Sequence, residues 1–478
     1  MHFFIGLKYK KMTSYVCERC GVTFPRKSGL TSHMNRKNTC KIPVQLIQQQ
    51  VNQALVQVAP ELSIPTTEFR EVSMKFNRSL NKEDRQDQGI FFTPKKVRDL
   101  LFEELAKLDV KPKKILEPSF GTGEFLLDAK RIYPLAEING VEKNADLFNS
   151  LKLPSTSLVN ADFLDWTGTV DLIVGNPPFF VMDSGKSTKE KKVFQQKYAE
   201  CMTGKCNIYI AFLHKCLKEH LTDDGYLAFI LPTSLFNCIY YEPMRKYIAE
   251  KTTIHCLKII EKPGFHETIQ DVVLLILQKK KSHDNFILKT TNGNTYLTPF
   301  YKELRELLKG TTTIEHLHLG VKTGDVVWNQ VKDQLCDEGV LLIYSNNIQD
   351  GKLVTGNISA GKEGKKKQFI KENFYRKIPE GDKEPTGVPP LTGMTILVNR
   401  GYGNNGNSYS FNFVKVDRQK YYAENHVNVI YPKTTAHSDN LNRVEKSFND
   451  ERTSQFIKWF VGNGALSATE LQCVVPIF

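Results

Sequence analysis

Long apolar runs are missing from this chain: no segment approaches the ~18–20 residues that a membrane-spanning helix needs. A disulfide framework is missing as well, because most of the ten cysteines are scattered and several lie in apolar surroundings. The Gly-x-x-x-x-Gly-Lys-Ser/Thr loop that cradles nucleotide phosphates is also absent. We therefore predict no membrane association and a reducing, intracellular compartment, either cytoplasm or nucleus.

Positive charge is in excess and is concentrated at one end of the chain. Lys and Arg number 65 against 52 Asp and Glu, which gives a formal charge of +13. Residues 1–48 carry nine basic side chains and one acid, or +8, so the remaining residues contribute 13 − 8 = +5. Such an excess favours polyanionic partners such as nucleic acid and says little about the fold.

Four regions differ in composition and in the pattern of apolar residues. This agrees with the two or three domains expected at about 100–200 residues each. Residues 15–41 are compact, basic and rich in cysteine, and residues 42–80 form a polar, Gln-rich linker with a predicted helix around 44–58. Residues 81–282 alternate apolar runs with helical patterns. Residues 283–478 hold short strand-like runs among many Gly, Asn, Tyr and Lys residues.

The third region predicts an α/β fold. Strands that alternate with helices indicate a parallel, doubly wound sheet, in which ligands bind beyond the carboxyl ends of the strands. The unusual residues of this region all fall at those ends. The predicted strands are 114–116, 137–141, 156–159, 170–174, 226–231 and 272–277, with a helix over 123–132 after the first.

Three of the strand ends carry residues suited to a nucleoside. Gly121 and Gly123 follow the first strand and let a ligand approach the backbone closely. Glu142 ends the second strand, where a carboxylate can accept hydrogen bonds from a ribose diol. Asp162 and Phe163 follow the third, and they can accept from an adenine amino group and cover the ring. One such acid is usually a solvated loop residue, but acids at successive strand ends form a more specific signal.

The fourth strand runs into Asn176-Pro177-Pro178-Phe179. The paired prolines stiffen the backbone and restrict Asn176 as well. The Asn176 side-chain oxygen and the Pro177 carbonyl can then both accept from one exocyclic amine, which directs the nitrogen lone pair at a methyl donor. Phe179 offers a face for base stacking, worth about 1–3 kcal/mol. A plain strand end with a Pro-Pro loop is the alternative interpretation.

In this order, the motifs resemble those of the gamma-class N6-adenine DNA methyltransferases, which have an N-terminal catalytic domain and a C-terminal target-recognition domain. The resemblance is strong over residues 81–282 and weak elsewhere. It implies a Rossmann-like α/β sheet that uses S-adenosylmethionine, and a recognition domain of mixed α+β structure over 283–478. The matching segments are 89–94 (Gly-Ile-Phe-Phe-Thr-Pro), 117–123, Glu142, 162–163, 176–179 and 231–235 (Leu-Pro-Thr-Ser-Leu).

The resemblance also implies a role for each matching residue. Asn176 and Pro177 hold the amino nitrogen of an adenine that is extruded from the duplex, and Phe179 and Tyr241 sandwich its ring. Tyr240 is the alternative to Tyr241, which fits better by its spacing from Pro232 and Arg245. The cofactor residues implied are Phe92, Thr93, Pro94, Glu117, Gly121, Gly123, Glu142, Asp162, Phe163 and Asn176.

Direct transfer from the sulfonium needs positioning and no covalent nucleophile. We find no cysteine placed for nucleophilic attack, which methylation of a cytosine ring carbon would require. A nuclease-like acid cluster is absent too, which disfavours a fused restriction activity.

The N-terminal module has the spacing Cys17-x2-Cys20-x12-His33-x6-Cys40. Its first three positions match the two-Cys, two-His zinc finger, whereas Cys40 replaces the usual second histidine at a longer spacing. The module therefore resembles fingers with Cys-Cys-His-Cys ligands, and we predict one zinc ion. Its basic side chains are expected to touch phosphates; the finger could instead bind a protein.

The C-terminal region shows no catalytic constellation, and its loops resemble the family's target-recognition domain. We predict a site-specific DNA adenine-N6 methyltransferase of the restriction–modification kind that acts as a monomer on double-stranded DNA, encoded by a virus or a eukaryotic cell. Two alternatives remain: an Asn-Pro-Pro-Phe methyltransferase of RNA or protein glutamine, and a non-catalytic zinc-finger DNA-binding protein.

Overall fold

A computed structural model gives the fold for most of the chain. Two predicted zinc ligands, Cys20 and Cys40, and the predicted helix 44–58 lie outside the residues that the structure describes. The described residues are 15–17, 22–24, 26–35, 68–79, 91–182, 187–261, 263–264, 271–290, 293–355, 367–372, 374, 387–400, 410–461 and 465–478.

The N-terminal module follows the order strand, strand, helix. Strands β1 (Tyr15–Val16) and β2 (Thr23–Phe24) pair antiparallel, and helix α1 (Lys27–Met34) follows them. The Phe24 ring lies 5.0 Å from the His33 ring, between centroids. A small aromatic contact therefore joins the hairpin to the helix.

A second helix, α2 (Glu71–Ser79), lies within the interval expected to be a linker. Its Ser73 is fully buried and hydrogen-bonds to Thr122 and Glu124 of the central sheet's first turn. Phe76 packs edge-on against Phe92. The expected linker thus ends in a helix that packs on the central fold. The sequence does not predict this packing, because the buried residues of the helix include polar ones such as Ser73.

A seven-stranded sheet forms the centre of residues 91–278, in the spatial order β5-β4-β3-β6-β7-β9-β8. The pairs from β5 to β7 are parallel, but β9 runs antiparallel to both β7 and β8. The expected all-parallel sheet is therefore corrected at one edge, and β8 had not been predicted. The strands are β3 (Lys114–Glu117), β4 (Glu137–Glu142), β5 (Thr156–Asn160), β6 (Val170–Gly175), β7 (Leu221–Pro232), β8 (Thr253–Ile260) and β9 (Val272–Gln278).

Apolar side chains cover both faces of this sheet. Ile115 belongs to the core cluster on one face, and its neighbour Leu116 belongs to the cluster on the other, as the alternation of side chains along a strand requires. Two-sided burial explains why the strands are nearly continuous apolar runs. The flanking helices are α3 (Lys95–Lys107), α4 (Glu124–Ile132), α5 (Ala145–Asn149), α6 (Thr188–Lys197), α7 (Ile208–Lys215) and α8 (Glu242–Lys251).

The C-terminal region builds a second seven-stranded sheet, in the order β13-β21-β19-β20-β15-β18-β14. Its pairs are antiparallel except β15 with β20. Strands of the main sheet are β13 (Leu319–Thr323), β14 (Leu335–Cys336), β15 (Val340–Ile343), β18 (Phe369–Ile370), β19 (Leu391–Asn399), β20 (Phe413–Ala423) and β21 (Val427–Pro432).

Short strand pairs and helices complete this region, and several of the helices pack on one face of the sheet. The pairs are β10 (Ile287–Lys289) with β11 (Thr295–Leu297), β12 (Thr312–Thr313) with β22 (Pro476–Ile477), and β16 (Ile348–Gln349) with β17 (Lys352–Leu353). The helices are α9 (Tyr301–Leu307), α10 (Asn440–Phe448), α11 (Glu451–Phe460) and α12 (Ala468–Cys473). No helix of the described residues is long and apolar enough to cross a membrane.

Candidate functional site

The turn after β3 brings the backbone close to the cavity described below. Gly121 and Gly123 have φ values of +55° and +84°, in the left-handed region that side chains disfavour. A Cβ at Gly123 would also collide with the Leu151 side chain, so this position has no room for another residue. The turn leads directly into α4, whose first residues, Glu124 and Phe125, line the cavity.

Glu142, the last residue of β4, fixes this turn. One carboxylate oxygen accepts from the Gly121 amide at 2.9 Å, and the other accepts from the Asn144 amide at 2.8 Å. Each oxygen keeps a lone pair for a further donor. Burial raises the pKa of Glu142, while these amide hydrogen bonds oppose the rise.

Asp162 and Phe163 follow β5. One Asp162 oxygen caps the short helix that starts at Phe163 by accepting from the Leu164 amide at 2.9 Å. The other oxygen accepts from the Lys143 ammonium at 3.0 Å. Phe163 is buried and packs against Phe212 of α7, with 4.7 Å between ring centroids. The ring therefore forms a rigid wall and not a mobile cover.

Asn176 is anchored through only one end of its amide. The nitrogen donates to the Thr93 hydroxyl at 3.1 Å and to the Phe91 carbonyl at 3.3 Å. The oxygen is buried and has no hydrogen-bond partner. In the described part of the chain the Pro177 carbonyl accepts no hydrogen bond either. Two acceptors at the end of β6 are thus left for an incoming donor.

The two aromatic rings predicted to stack on the base both pack against a third aromatic ring. Phe179 and Tyr241 both lie nearly perpendicular to Tyr209, at 5.9 Å and 5.6 Å between centroids. Tyr209 is fully buried in α7, and its hydroxyl bonds to that of Ser234 at 3.0 Å. Tyr241 is 6% exposed, whereas the alternative, Tyr240, is 37% exposed. Tyr241 therefore packs on the same ring as Phe179, and its role in base stacking stays a prediction.

A cavity of about 420 Å³ lies beyond the carboxyl ends of β3 to β6. Apolar walls alternate in it with a few polar groups, as is typical of small-molecule sites. Its lining includes Phe91, Phe92, Thr93, Glu117, Ser119, Phe120, Gly121, Glu142, Asp162, Phe163, Asn176, Pro178, Phe180, Ile208 and Phe212.

The cavity fits S-adenosylmethionine by two observations. Buried oxygens of Glu117, Ser119 and Asn176 have no partner among the described residues, which is costly unless a ligand supplies one. The acids also suit a cation: burial, and then repulsion from Glu124 and Glu142, raise the pKa of Glu117 well above its usual range. A bound positive charge relieves that repulsion.

Comparison with known proteins identifies related methyltransferases. A family model described as Eco57I restriction-modification methylase matches residues 104–265. Type II methyltransferase M.CvrRI of Paramecium bursaria Chlorella virus XZ-6E is 31% identical over 86% of this chain and 99% of that protein. Modification methylase CviBIII of Paramecium bursaria Chlorella virus NC1A is 30% identical over the same shares, 86% and 99%.

The chain belongs to the type II modification methyltransferases. Among solved structures, a putative class I S-adenosylmethionine-dependent methyltransferase of Listeria monocytogenes aligns over 50% of this chain and 68% of its own, with 16% identity and a TM-score of 0.32. A modification subunit of a putative type I restriction enzyme from Vibrio vulnificus YJ016 gives 18% identity and a TM-score of 0.33, over 44% and 49%. Structural similarity at these TM-scores supports no inference, so the family assignment depends on the two viral relatives.

Most of the predicted cofactor residues of this methyltransferase line the cavity at the carboxyl ends of β3 to β6. Phe92, Thr93, Glu117, Gly121, Glu142, Asp162, Phe163 and Asn176 do so. Pro94 and Gly123 lie just outside its lining, as the residue that precedes α3 and the residue that precedes α4. Their predicted roles, like the others, stay predictions.

Sequence reasoning missed several wall residues. Ser119 carried no signal, since an isolated serine beside a Gly turn has many uses. Ile208 and Phe212 lie four apart on α7, where every residue from 208 to 213 is buried, so the segment resembles ordinary core. Their spacing on one helix face was the only signal available.

The predicted metal site is only partly described. Cys17 is buried and His33 lies on α1, but Cys20 and Cys40 fall outside the described residues. Within those residues no group of three or more His, Cys, Asp or Glu side chains is placed to hold a metal ion.

Proposed function

We propose that this methyltransferase transfers the methyl group of S-adenosylmethionine to N6 of an adenine in double-stranded DNA, at a specific sequence, after that base has been extruded from the duplex. The observation that carries the proposal is the Asn176 oxygen, which is buried and unpartnered while its nitrogen is held by Thr93 and Phe91. An amine hydrogen is the complementary donor.

The residues act by positioning. Asn176 and Pro177 accept the two hydrogens of the amino group, which turns its lone pair out of the ring plane and toward the cofactor cavity. Preorganised acceptors of this kind need no reorganisation during the reaction. Phe179 and Tyr241 hold the ring between them, on Tyr209. When bound, the cofactor would supply a methyl group on a sulfonium: the nitrogen–carbon bond forms as the sulfur–carbon bond breaks, the sulfur leaves as a neutral thioether, and the methylated nitrogen releases one proton to solvent.

Cofactor binding divides among the strand ends. Glu142 accepts from the ribose hydroxyls, and Asp162 from the adenine amino group. Phe163 and Phe212 cover the ring, and Glu117 faces the positively charged methionine end together with the Phe92-Thr93-Pro94 segment. Support comes from the shared cavity lining and from the unpartnered Glu117 oxygen.

We further propose that Cys17, Cys20, His33 and Cys40 bind one zinc ion. Two observations support this: the strand–strand–helix order of residues 15–34, and a donor set of thiolates and imidazole, which suits tetrahedral zinc. The finger would add phosphate contacts on DNA. The viral source of two relatives supports a virus-encoded enzyme that works inside the host cell.

The test offers radiolabelled S-adenosylmethionine and the purified chain to duplex DNA, RNA and protein. We expect label only in DNA, recovered as N6-methyladenine. In Asn176→Ala, the loss of a preorganised acceptor should lower kcat by about 10²–10³. Cofactor affinity should change far less, because most of the cavity is intact.

Lys309→Ala, at an exposed residue of the C-terminal region outside the cavity lining, is the control and should keep wild-type kcat. Label in RNA or in protein glutamine would replace the DNA proposal with that substrate. A fully active Asn176→Ala enzyme would overturn the mechanism.

A further inference from the structure

Two apolar side chains next to Tyr241, one of the rings proposed to hold the target base, are exposed to solvent. The short helix Ile239–Tyr241 turns Tyr241 inward, whereas Ile239 is 55% exposed and Tyr240 37% exposed. Large apolar side chains exposed among the described residues are few, and Ile239 and Tyr240 are the two that directly precede Tyr241. The set is Val16, Val22, Met34, Leu135, Val159, Val193, Ile239 and Tyr240.

The pair sits on a rigid support. The Tyr240 ring covers Gly204 so closely that a Cβ at that glycine would collide with it. The Tyr240 carbonyl accepts from the Thr203 amide at 2.7 Å. On the other side, the buried Arg245 guanidinium donates to the Cys238 carbonyl at 2.6 Å. The exposed side chains are thus held in place before any partner arrives.

The segment that contacts this support is rich in basic side chains. Helix α6 joins it through Gln195, which donates to the Gly204 carbonyl at 3.0 Å. Residues 187–205 carry five lysines and two acids, a local charge of 5 − 2 = +3, and Glu200 is already paired with Lys218. The lysines are Lys189, Lys191, Lys192, Lys197 and Lys205, all exposed. A polyanion therefore fits this face.

We propose that Ile239 and Tyr240 pack against the DNA duplex where the target base has left it, and so stabilise the extruded state. The inference rests on the proposed function and adds the surface that opens the duplex. Apolar side chains that insert between base steps favour unstacked DNA, and an aromatic ring can stack on a neighbouring base. The lysines around them would hold the flanking phosphates.

The test uses a duplex that carries the methylation site mapped by single-molecule sequencing, and a second duplex with an abasic position opposite the target adenine. An unpaired base costs less to extrude, so the second duplex needs less help from the enzyme. Single-turnover methyl transfer is measured for wild type, the double variant Ile239→Ser/Tyr240→Ser, and the control Leu135→Ser. Leu135 is 99% exposed and lies just before β4, which stands second from the β5 edge of the sheet, with β3 and β6 between it and β7.

We expect the double variant to lose roughly tenfold or more on the paired duplex, equivalent to about 1.4 kcal/mol, and to approach wild type on the abasic duplex. Leu135→Ser should match wild type on both. Equal loss on both duplexes, or no loss on either, would overturn the proposal. If wild type itself methylates neither duplex, the proposed function fails and this inference falls with it. Unchanged cofactor affinity in the double variant shows that it is folded.

Discussion

Glu117 is a single residue that is unfavourable for the stability of the free protein and favourable for the binding of a cation. It is buried at the carboxyl end of β3, one of its oxygens has no partner, and burial together with Glu124 and Glu142 raises its pKa well above the usual range. Such a group is costly in the free protein and useful once a cation is bound, since the cation favours the carboxylate.

This yields a pH-dependent prediction. Because the pKa of Glu117 is raised in the fold, the fold binds its proton more tightly than the unfolded chain does. Stability is therefore present at low pH and lost as pH rises through the raised pKa. Glu117→Gln should increase the unfolding free energy of the cofactor-free protein at neutral and alkaline pH by about 1–3 kcal/mol. The gain should shrink toward acid pH.

Urea unfolding across the pH range measures this, and calorimetry should show weaker S-adenosylmethionine binding by the same variant. Glu303→Gln, at an exposed residue of α9, serves as the control and should change neither quantity. A Glu117→Gln protein that is less stable than wild type at alkaline pH would contradict the account.

Much of the site was predictable at this scale. Glu142, Asp162 and Asn176 were expected at strand ends, and all three line the cavity. The partner of each was not predictable: that Thr93 anchors Asn176 across 83 residues follows from tertiary packing alone. Nor does any local pattern reveal that Tyr209 supports two other rings.

At the scale of elements, the missed strand β8 has a clear cause. Its sequence carries His255, Cys256 and Lys258 among apolar residues, and it lies at the sheet edge with several half-exposed positions. Edge strands need less burial, so their apolar alternation is weak. The reversed direction of β9 depends on how the chain crosses the sheet, which an apolar run does not encode.

Helix α2 gives an element-scale prediction. Ser73 is buried, and its hydroxyl lies between Thr122 and Glu124, so its loss leaves a buried carboxylate short of one hydrogen bond. Ser73→Ala should lower the unfolding free energy by about 1–3 kcal/mol and weaken cofactor binding through the Gly turn. Chemical unfolding and calorimetry measure the two effects.

Ser79 is the matched control on the same helix, since its hydroxyl is exposed and bonds only to the Phe76 carbonyl. Ser79→Ala should stay within about 0.5 kcal/mol of wild type. If Ser73→Ala behaved identically, the contact of α2 with the turn would not support the cofactor site.

The finger provides a second prediction for an element. Removal of one ligand from a four-coordinate zinc site should release the metal, so Cys17→Ser should lower zinc content by about one equivalent per chain. Cys336→Ser, in β14 of the C-terminal sheet, should leave it unchanged. Elemental analysis of both purified proteins decides, and equal zinc in wild type and Cys17→Ser would refute the site.

In the whole molecule, one buried arginine joins α8 to the β10–β11 pair and, through it, to the C-terminal helices. Arg245 of α8 donates to the Thr295 carbonyl of β11 at 2.5 Å, and its guanidinium stacks on Tyr296. Tyr296 in turn packs edge-on against Phe460 of the C-terminal helices, at 5.0 Å between centroids. These contacts pack α8, which directly follows Tyr241, against the C-terminal region.

The charge of the whole chain leads to the last prediction. With a formal charge of +13, binding to DNA should release counterions, so DNA affinity should fall by at least tenfold between about 50 and 200 mM salt. The affinity for S-adenosylmethionine should change little, because this ligand is no polyanion and its binding releases few counterions. Fluorescence anisotropy and calorimetry measure the two. Equal salt dependence would argue against a phosphate-led interaction.

The contact of α2 with the cofactor turn has a practical consequence for protein engineering. Exchange of the proposed finger for a DNA-binding module, to redirect methylation, requires a junction between the two units. A cut at residue 80, where composition alone would place it, removes Arg70 and Ser73 and so exposes the turn at Thr122 and Glu124. A junction before residue 68 keeps these contacts of α2 with the cofactor turn, and chimeric enzymes built that way should retain their cofactor.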